Sequence, residues 1–373
     1  MKNKFFDNIK GNLGFGCMRF PMKDNEVDYE QTTKMIDAFM ENGFNYFDTA
    51  HGYIGEKSEP TLRECLVKRY PREDFVLVNK LSTTFFTKEE EIDPIFEKQL
   101  EICGVDYFDF YLLHSQNTEF FAKYKKCKAY EHAFAFKKQG RVKHVGISFH
   151  DKAEVLEQIL TEYPEIEVVQ IQFNYLDYDD IGIESRKCYE VCVKHGKPVI
   201  VMEPVKGGNL VEIPDEAQKI FDVLGGGSNA SYAIRFAASF DNIMMVLSGM
   251  SNMEQMKDNI SYMKEFKPLS EKEFEAVFKV RDIISAQGLI PCTGCKYCMD
   301  VCSQKIAIPD VFSDLNAKTI HNYWNSDCYY EIHTQNGGKA SDCIRCGKCE
   351  KICPQHLSIR ELLVKVAEAF DKE

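Results

Sequence analysis

Two stretches of the sequence carry cysteines at one repeated spacing. Cys292, Cys295, Cys298 and Cys302 follow C-x2-C-x2-C-x3-C, and Cys343, Cys346, Cys349 and Cys353 repeat it. Two residues between thiolates let one turn of chain present three of them to a cuboidal iron-sulfur cluster, while the fourth, three residues on, points away to another. By that rule Cys292, Cys295, Cys298 and Cys353 hold one [4Fe-4S] cluster, and Cys343, Cys346, Cys349 and Cys302 hold a second. Zinc is the competing reading, because C-x2-C pairs also close a tetrahedron; three evenly spaced cysteines plus a distant fourth, given twice, fit clusters better. Pro354 follows the last cysteine of the second run, Ser303 stands at that place in the first, and residues 303–342 form a long linker. The other seven cysteines (17, 65, 103, 127, 188, 192 and 328) read as small buried apolar residues. Cys328, inside the cysteine-rich segment, is the one to check.

A second set of chemically able side chains lies upstream, each where a short apolar run stops: Asp48, Lys80, His114, Ser148, Gln170 with Gln172, Glu203 and Ser248, with Tyr53 five residues beyond Asp48. Each has a bland reading alone. Asp48 would cap a turn, Lys80 would end a strand in solvent, His114 would be a satisfied core group, and Tyr53 is one of eighteen tyrosines. Brought together, a carboxylate, a phenol, an ammonium and an imidazole are the parts of a proton-transfer site.

The elements that must position them are legible from periodicity. Eight short runs rich in β-branched and aromatic residues (14–17, 44–47, 75–79, 108–113, 144–147, 168–171, 198–202 and 243–247) alternate with segments of helical period. One of these is 29–42, which stops at Asn42-Gly43. Eight βα units closing on themselves predict a TIM barrel, whose reacting groups sit at the C-terminal ends of the strands. The alternative is a doubly wound open sheet, but Gly14-Phe15-Gly16-Cys17-Met18-Arg19 lacks the third glycine of the dinucleotide fingerprint. The expected domains are a barrel over 1–266, a connecting helix within 267–287 and a cysteine-rich domain over 288–373. Gly225-Gly226-Gly227 reads as a flexible lead-in to a helix over 230–239.

Bulk properties narrow the function classes. The 58 acidic and 46 basic residues give a formal charge of -12 with no basic run, so neither nucleic acid nor an anionic membrane is an expected partner. Neither a leader-like apolar core near the N-terminus nor an apolar stretch of about 18 residues occurs, and a cytoplasmic location is expected. A disulfide framework belongs to short secreted chains.

The cysteine segment resembles a bacterial two-cluster ferredoxin. The rest resembles an aldo-keto reductase of the bacterial branch that carries such a domain, on the strength of Gly14-Phe-Gly-Cys-Met-Arg19, Phe47-Asp-Thr-Ala-His-Gly-Tyr53, Lys80, Leu112-Leu-His114, Gly146-Ile-Ser-Phe-His-Asp151, Gln170-Ile-Gln-Phe-Asn174 and Leu247-Ser-Gly-Met250 with Gln255 and Asn259. The resemblance implies that Asp48, Tyr53, Lys80 and His114 are the catalytic tetrad. Tyr53 would give a proton to a carbonyl oxygen, Lys80 would lower its pKa, Asp48 would hold Lys80 charged, and His114 would donate a second hydrogen bond. It also implies NADP(H) or NAD(H) across the barrel mouth, with Met18, Arg19, Ser148, Gln170, Met202, Gly207, Ser248, Gly249, Gln255 and Asn259 facing it. Phe149, Met202, Gly249 and Gln255 depart from the commoner residues at their places, which leaves open whether Arg19, Lys206 or Arg235 meets a 2′-phosphate.

The function expected is hydride reduction of a small-molecule aldehyde or ketone. The alternative is an electron-transfer or redox-sensing protein whose clusters exchange electrons with a partner, or with a flavin at the barrel, a cofactor no motif indicates. Hydride moves two electrons and a cluster one, which motivates that alternative. Phe120, Phe121, Tyr124, Tyr175 and Tyr178 lie in loops that would wall the pocket.

Overall fold

The computed structural model describes residues 3–180, 183–321 and 325–371. Contacts divide the chain into two units, Met1–Pro204 with Ala230–Glu271, and Val205–Asn229 with Lys272–Glu373.

The first unit is built on eight parallel strands closed into a barrel: β1 Leu13–Gly16, β2 Tyr46–Asp48, β3 Val76–Leu81, β4 Phe108–Gln116, β5 Val142–Phe149, β6 Val168–Gln172, β7 Val199–Met202 and β8 Ile243–Ser248. Each overlaps one of the eight apolar runs. The ring closes where Gly14 of β1 pairs with Tyr46 on one side and Leu247 on the other. β3 is buried along its whole length, as expected of a parallel strand with side chains inside the barrel and helices outside.

Side chains alternate along a strand with period two, so every second residue enters the barrel. Tyr46, Val76, Val78, Phe110, Leu112, Val168 and Ile200 share one apolar core, against which Phe5 and Phe6 pack. One step further along the same parity stand Asp48, Lys80, His114, Ser148, Gln170 and Met202. The apolar layers thus force the next layer to be the one at the C-terminal mouth. Gly146 is glycine for packing: a Cβ there would lie 2.5 Å from Val168 Cγ2 and 2.7 Å from Leu112 Cδ2.

The helix expected over 29–42 runs Tyr29–Glu41, its first turn capped by the Asp28 carboxylate accepting from Gln31 N. The helix expected over 230–239 is Asn229–Ala238. Among the described residues no helix is long and apolar enough to cross a membrane.

The second unit repeats one backbone pattern around its two cysteine runs. The short helix Tyr297–Asp300 follows Lys296 in the left-handed region, and Lys348–Lys351 follows Gly347 in the same conformation. Cys302 N donates to Met299 O and Cys353 N to Glu350 O; Lys305 N donates to Cys302 O and His356 N to Cys353 O. Each half ends in a longer helix, Ile308–His321 and Ile359–Phe370. Ile306, Ile308, Val311, Phe312, Ile359, Leu363 and Val366 form the core between them. The division differs from the expected domains in two respects: residues 205–229, which follow β7 in sequence, belong with the cysteine-rich unit, and the helix Glu271–Ala286, expected as a connector, belongs with that unit from Lys272 onward.

Candidate active site and cysteine centre

Lys80 is fully buried near the end of β3, and its Nζ has three oxygen neighbours: Asp48 Oδ1 at 2.5 Å, Thr49 O at 2.8 Å and Tyr53 Oη at 3.3 Å. Asp48 ends β2, and the turn after it carries Tyr53 back over the mouth, where Tyr53 N donates to Ala50 O. The Tyr53 and His114 rings meet edge to face with centroids 5.9 Å apart. The four side chains therefore share one point at the barrel mouth.

Burial governs their protonation. It lowers Lys80 from the usual lysine value against the pull of Asp48, and it raises Asp48 against the pull of Lys80 and of the Gln170 amide. Tyr53 departs from the sequence expectation. Burial first, and then the negative charge of Asp48, push its phenol well above the ordinary value. The ammonium that was expected to lower it is already committed to a carboxylate. His114 is pushed well below the usual imidazole value by burial first and by the Lys80 charge second, so the ring is neutral. Its Nδ1 lies 2.6 Å from Ser82 Oγ. A hydroxyl donating to Nδ1 leaves the single ring proton on Nε2.

Two supports were not read from the sequence. Ser82, two residues past Lys80, is one. The other is a buried polar chain outside β2 and β3: His51 Nδ1 lies 2.6 Å from Glu59 Oε2, Asn79 Nδ2 donates to Glu59 Oε1 at 2.7 Å, Gln99 Nε2 donates to Asn79 Oδ1 at 3.0 Å and to Lys80 O at 2.9 Å, and Tyr111 Oη donates to Gln99 Oε1 at 2.6 Å. It fixes the backbone of Lys80 from behind. A polar residue at the alternate, helix-facing position of a buried strand, as Asn79 is, was the available signal.

The expected cofactor positions sort into groups. Ser148 and Gln170 are buried neighbours in register at the ends of β5 and β6, and Ser148 Oγ accepts from Ser115 N at 2.8 Å. Met18 and Arg19 are half-buried after β1, and Met202 is half-buried at the end of β7. Gly249 is exposed, and a Cβ on it would stand 3.2 Å from Arg19 Cδ, so the arginine stem lies along the loop after β8. Ser248 and Asn259 are spent on each other, Asn259 Nδ2 donating to Ser248 Oγ at 2.7 Å, while Tyr262 Oη donates to Asn259 Oδ1 at 2.5 Å. Gln255 is exposed and accepts from Ser251 N at 2.7 Å. Gln255 and Asn259 thus do not present one common surface, because the asparagine turns inward. Gly207 has a different neighbour from the one expected. It adopts φ +68, and a Cβ would stand 2.4 Å from Thr293 O within the cysteine-rich unit. Beside it Asn209 Nδ2 donates to Cys292 O at 2.9 Å, and buried Lys206 donates to Gln355 Oε1 at 2.8 Å. Arg235, the remaining basic candidate, donates to Lys267 O at 3.1 Å. Of the aromatic residues expected to wall the pocket, Phe121, Tyr124 and Tyr175 are buried; Tyr124 Oη donates to Leu81 O at 2.5 Å and to His114 O at 2.9 Å, which makes it a brace.

The cysteines gather across the two runs. Cys292, Cys295, Cys298 and Cys353 line one cavity, and Cys302, Cys343, Cys346 and Cys349 line another. Cys17, Cys65, Cys103, Cys127, Cys188 and Cys192 are buried and belong to neither. Cys328 is exposed on the helix Asn325–Thr334 and lines neither.

A profile of the aldo/keto reductase family matches residues 12–282. The chain belongs to the aldo/keto reductase family. A 4Fe-4S dicluster domain matches residues 291–357 of this reductase. It is 25% identical over 272 residues to an uncharacterized oxidoreductase of Schizosaccharomyces pombe, covering 69% of this chain and 83% of that protein. It is 23% identical over 274 residues to the NADH-specific methylglyoxal reductase of Escherichia coli, covering 61% and 81%. Among solved structures, an aldo-keto reductase from Bacillus halodurans in its holo form matches with a TM-score of 0.60 at 23% identity over 75% of this chain and 95% of that one. One from Klebsiella pneumoniae in complex with NADP and acetate matches with 0.59 at 17% identity over 72% and 91%.

The contact at Gly207 gives a test. Gly207→Ala puts a methyl against the Thr293 carbonyl in a backbone region that L residues rarely adopt. It is expected to displace the loop bearing Cys292 and lower the iron content of the anaerobically purified protein. Wild-type iron content in the variant would show that the loop does not depend on this approach.

Proposed function

We propose that the barrel reduces the carbonyl group of a small aldehyde or ketone, with Tyr53 giving the proton to oxygen, and that the C-terminal unit carries two [4Fe-4S] clusters, on Cys292, Cys295, Cys298 and Cys353 and on Cys302, Cys343, Cys346 and Cys349. The observation that carries the first part is the Lys80 ammonium bonded at once to Asp48, Thr49 O and Tyr53 Oη, with the His114 ring alongside. A bound NADPH or NADH supplies the hydride. The buried amide of Gln170 and hydroxyl of Ser148, neighbours at the same mouth, suit its carboxamide, and Arg19 along the loop after β8 suits a phosphate. For the second part, two rings of four thiols drawn from both runs match the cross-ligation expected of the spacing. Eight cysteines given to clusters and seven further thiols suit a reducing compartment, which makes the cytoplasm the proposed location.

A carbonyl oxygen seated between Tyr53 Oη and His114 Nε2 has two donors. The raised Tyr53 pKa keeps the phenol protonated throughout the neutral range, ready to give its proton only when negative charge builds on the oxygen. The phenolate left behind lies against the Lys80 ammonium, which stabilises it, and Asp48 keeps that ammonium in place. Neutral His114 donates through Nε2 and does not compete for the proton.

Tyr53→Phe is expected to lower kcat for aldehyde reduction by about 10²- to 10⁴-fold, the usual range for a general acid, while NADPH affinity measured by fluorescence stays within about twofold. Full activity in this variant would remove Tyr53 from the reaction.

The pH dependence follows from the two shifts. An acid with a raised pKa stays protonated as pH climbs, and an imidazole with a lowered pKa stays neutral as pH falls. The kcat/KM for reduction should therefore be flat through neutrality, with no inflection near the ordinary histidine value of about 6.5. An inflection there, lost in His114→Gln, would show that the ring titrates.

Ser82→Ala removes the hydroxyl that fixes the His114 tautomer. It is expected to lower kcat by about tenfold, a loss of roughly 1.4 kcal/mol of transition-state stabilisation, with little change in KM. Unchanged kcat would mean that the ring holds its tautomer without Ser82.

A further inference from the structure

The two cysteine corners differ in what surrounds them. Around the first, Cys298 is buried, Cys292, Cys295 and Cys353 are half-buried, and Thr293, Phe312 and Gln355 wall the cavity. Between its cysteines lie one lysine and one aspartate, Lys296 and Asp300. Around the second, Cys346 is exposed, and the adjacent Ile344 is 61% exposed. Arg345 lines that cavity from a left-handed backbone position, φ +56, and is exposed. Lys348 and Lys351 are exposed in the same turn, and Lys305 is exposed three residues past Cys302. Among the described residues none of these four cations is in an ion pair, whereas Glu350, the one acid inside the motif, is held by Arg360 at 2.7 Å. A chain of net charge -12 thus surrounds the exposed cysteine of this corner with unpaired positive charge and one bare apolar side chain.

We propose that the corner formed by Cys302, Cys343, Cys346 and Cys349 is a docking face for a small acidic protein that carries one electron at a time. An apolar spot inside a charged rim is the make-up of a small, transient interface. The rest of the chain repels an acidic partner while this rim attracts it, so the field selects the orientation as well as the partner. In the docked pair the carrier loses one electron and the cluster gains one; no bond or proton changes hands. The proposal rests on the assignment of a cluster to these cysteines and not on the carbonyl chemistry of the barrel.

The test uses the full chain, purified anaerobically, and an acidic flavodoxin as the probe. Both proteins are kept oxidised, so the readout is binding and not turnover. A micromolar complex is expected, weakening by about tenfold or more between low and physiological salt, as screening of exposed charges dictates. The pair Arg345→Glu with Lys348→Glu is expected to weaken it at least tenfold, and Lys296→Glu at the first corner to leave it unchanged. EPR of the dithionite-reduced variants confirms that both clusters are present, and Arg345→Gln with Lys348→Gln serves as the milder pair should the reversal impair folding. Absence of binding, equal weakening by Lys296→Glu, or indifference to both pairs would overturn the docking face. An absence of any iron-sulfur signal in the wild-type protein would instead overturn the cluster assignment beneath it.

Discussion

A single ammonium in the interior of the barrel sets the terms for the rest of the first unit. Taking Lys80 out of water is costly unless its charge is met at close range, and removing one partner of a buried ion pair commonly costs about 3–5 kcal/mol. The fold meets the charge with Asp48 at 2.5 Å and the Thr49 carbonyl at 2.8 Å, both from the end of the neighbouring strand. Those two contacts are enough for the charge and leave one direction open, and Tyr53 Oη occupies it. Under the proposed chemistry the third neighbour is the one that gives up a proton. Gln99, held by Tyr111 and bonded to the Lys80 carbonyl, removes the remaining freedom from the backbone side.

The same reasoning explains the raised phenol. A tyrosine beside an isolated ammonium would acidify, but here burial raises the phenol first and the Asp48 charge pushes it the same way. In the proposed reaction the ammonium would act once a phenolate forms at contact range, 3.3 Å from Lys80 Nζ. His114 is treated alike: burial and the nearby positive charge hold its pKa well down, and Ser82 Oγ stands 2.6 Å from its Nδ1.

Much of this was legible in the sequence because it depends on period and order. All eight strands announced themselves as short apolar runs, and Asp48, Lys80 and His114 were conspicuous as polar residues where such runs stop. The crossed cysteine sets followed from spacing alone. What could not be read depends on partners far apart in sequence. Ser82 looks like a loop serine until His114 arrives beside it, and Glu59 looks like a surface helix residue until His51 and Asn79 enclose it. The inward turn of Asn259 is hidden for the same reason, since helical spacing places it with Gln255 but cannot show that Ser248 captures its amide. The segment 205–229 was read as part of the barrel because it lies between two of its strands. Nothing in its composition reveals that Gly207 and Asn209 meet Thr293 and Cys292.

That segment also accounts for the asymmetry of the C-terminal unit. The two cysteine runs repeat each other in backbone conformation, down to the left-handed residue before each short helix and the matching turns at Lys305 and His356. A symmetric pair of halves would expose both corners equally. The segment 205–229 breaks the symmetry by lying on only one of them: Gly207 packs on Thr293, Asn209 bonds Cys292 O, and Lys206 bonds Gln355, all at the first corner. The second corner has no such cover from this segment among the described contacts; there Arg345 lines the cavity and Lys348 is exposed beside it, whereas the first is walled by apolar and neutral residues. Covering one of two equivalent corners and charging the other is how a repeated motif acquires a direction.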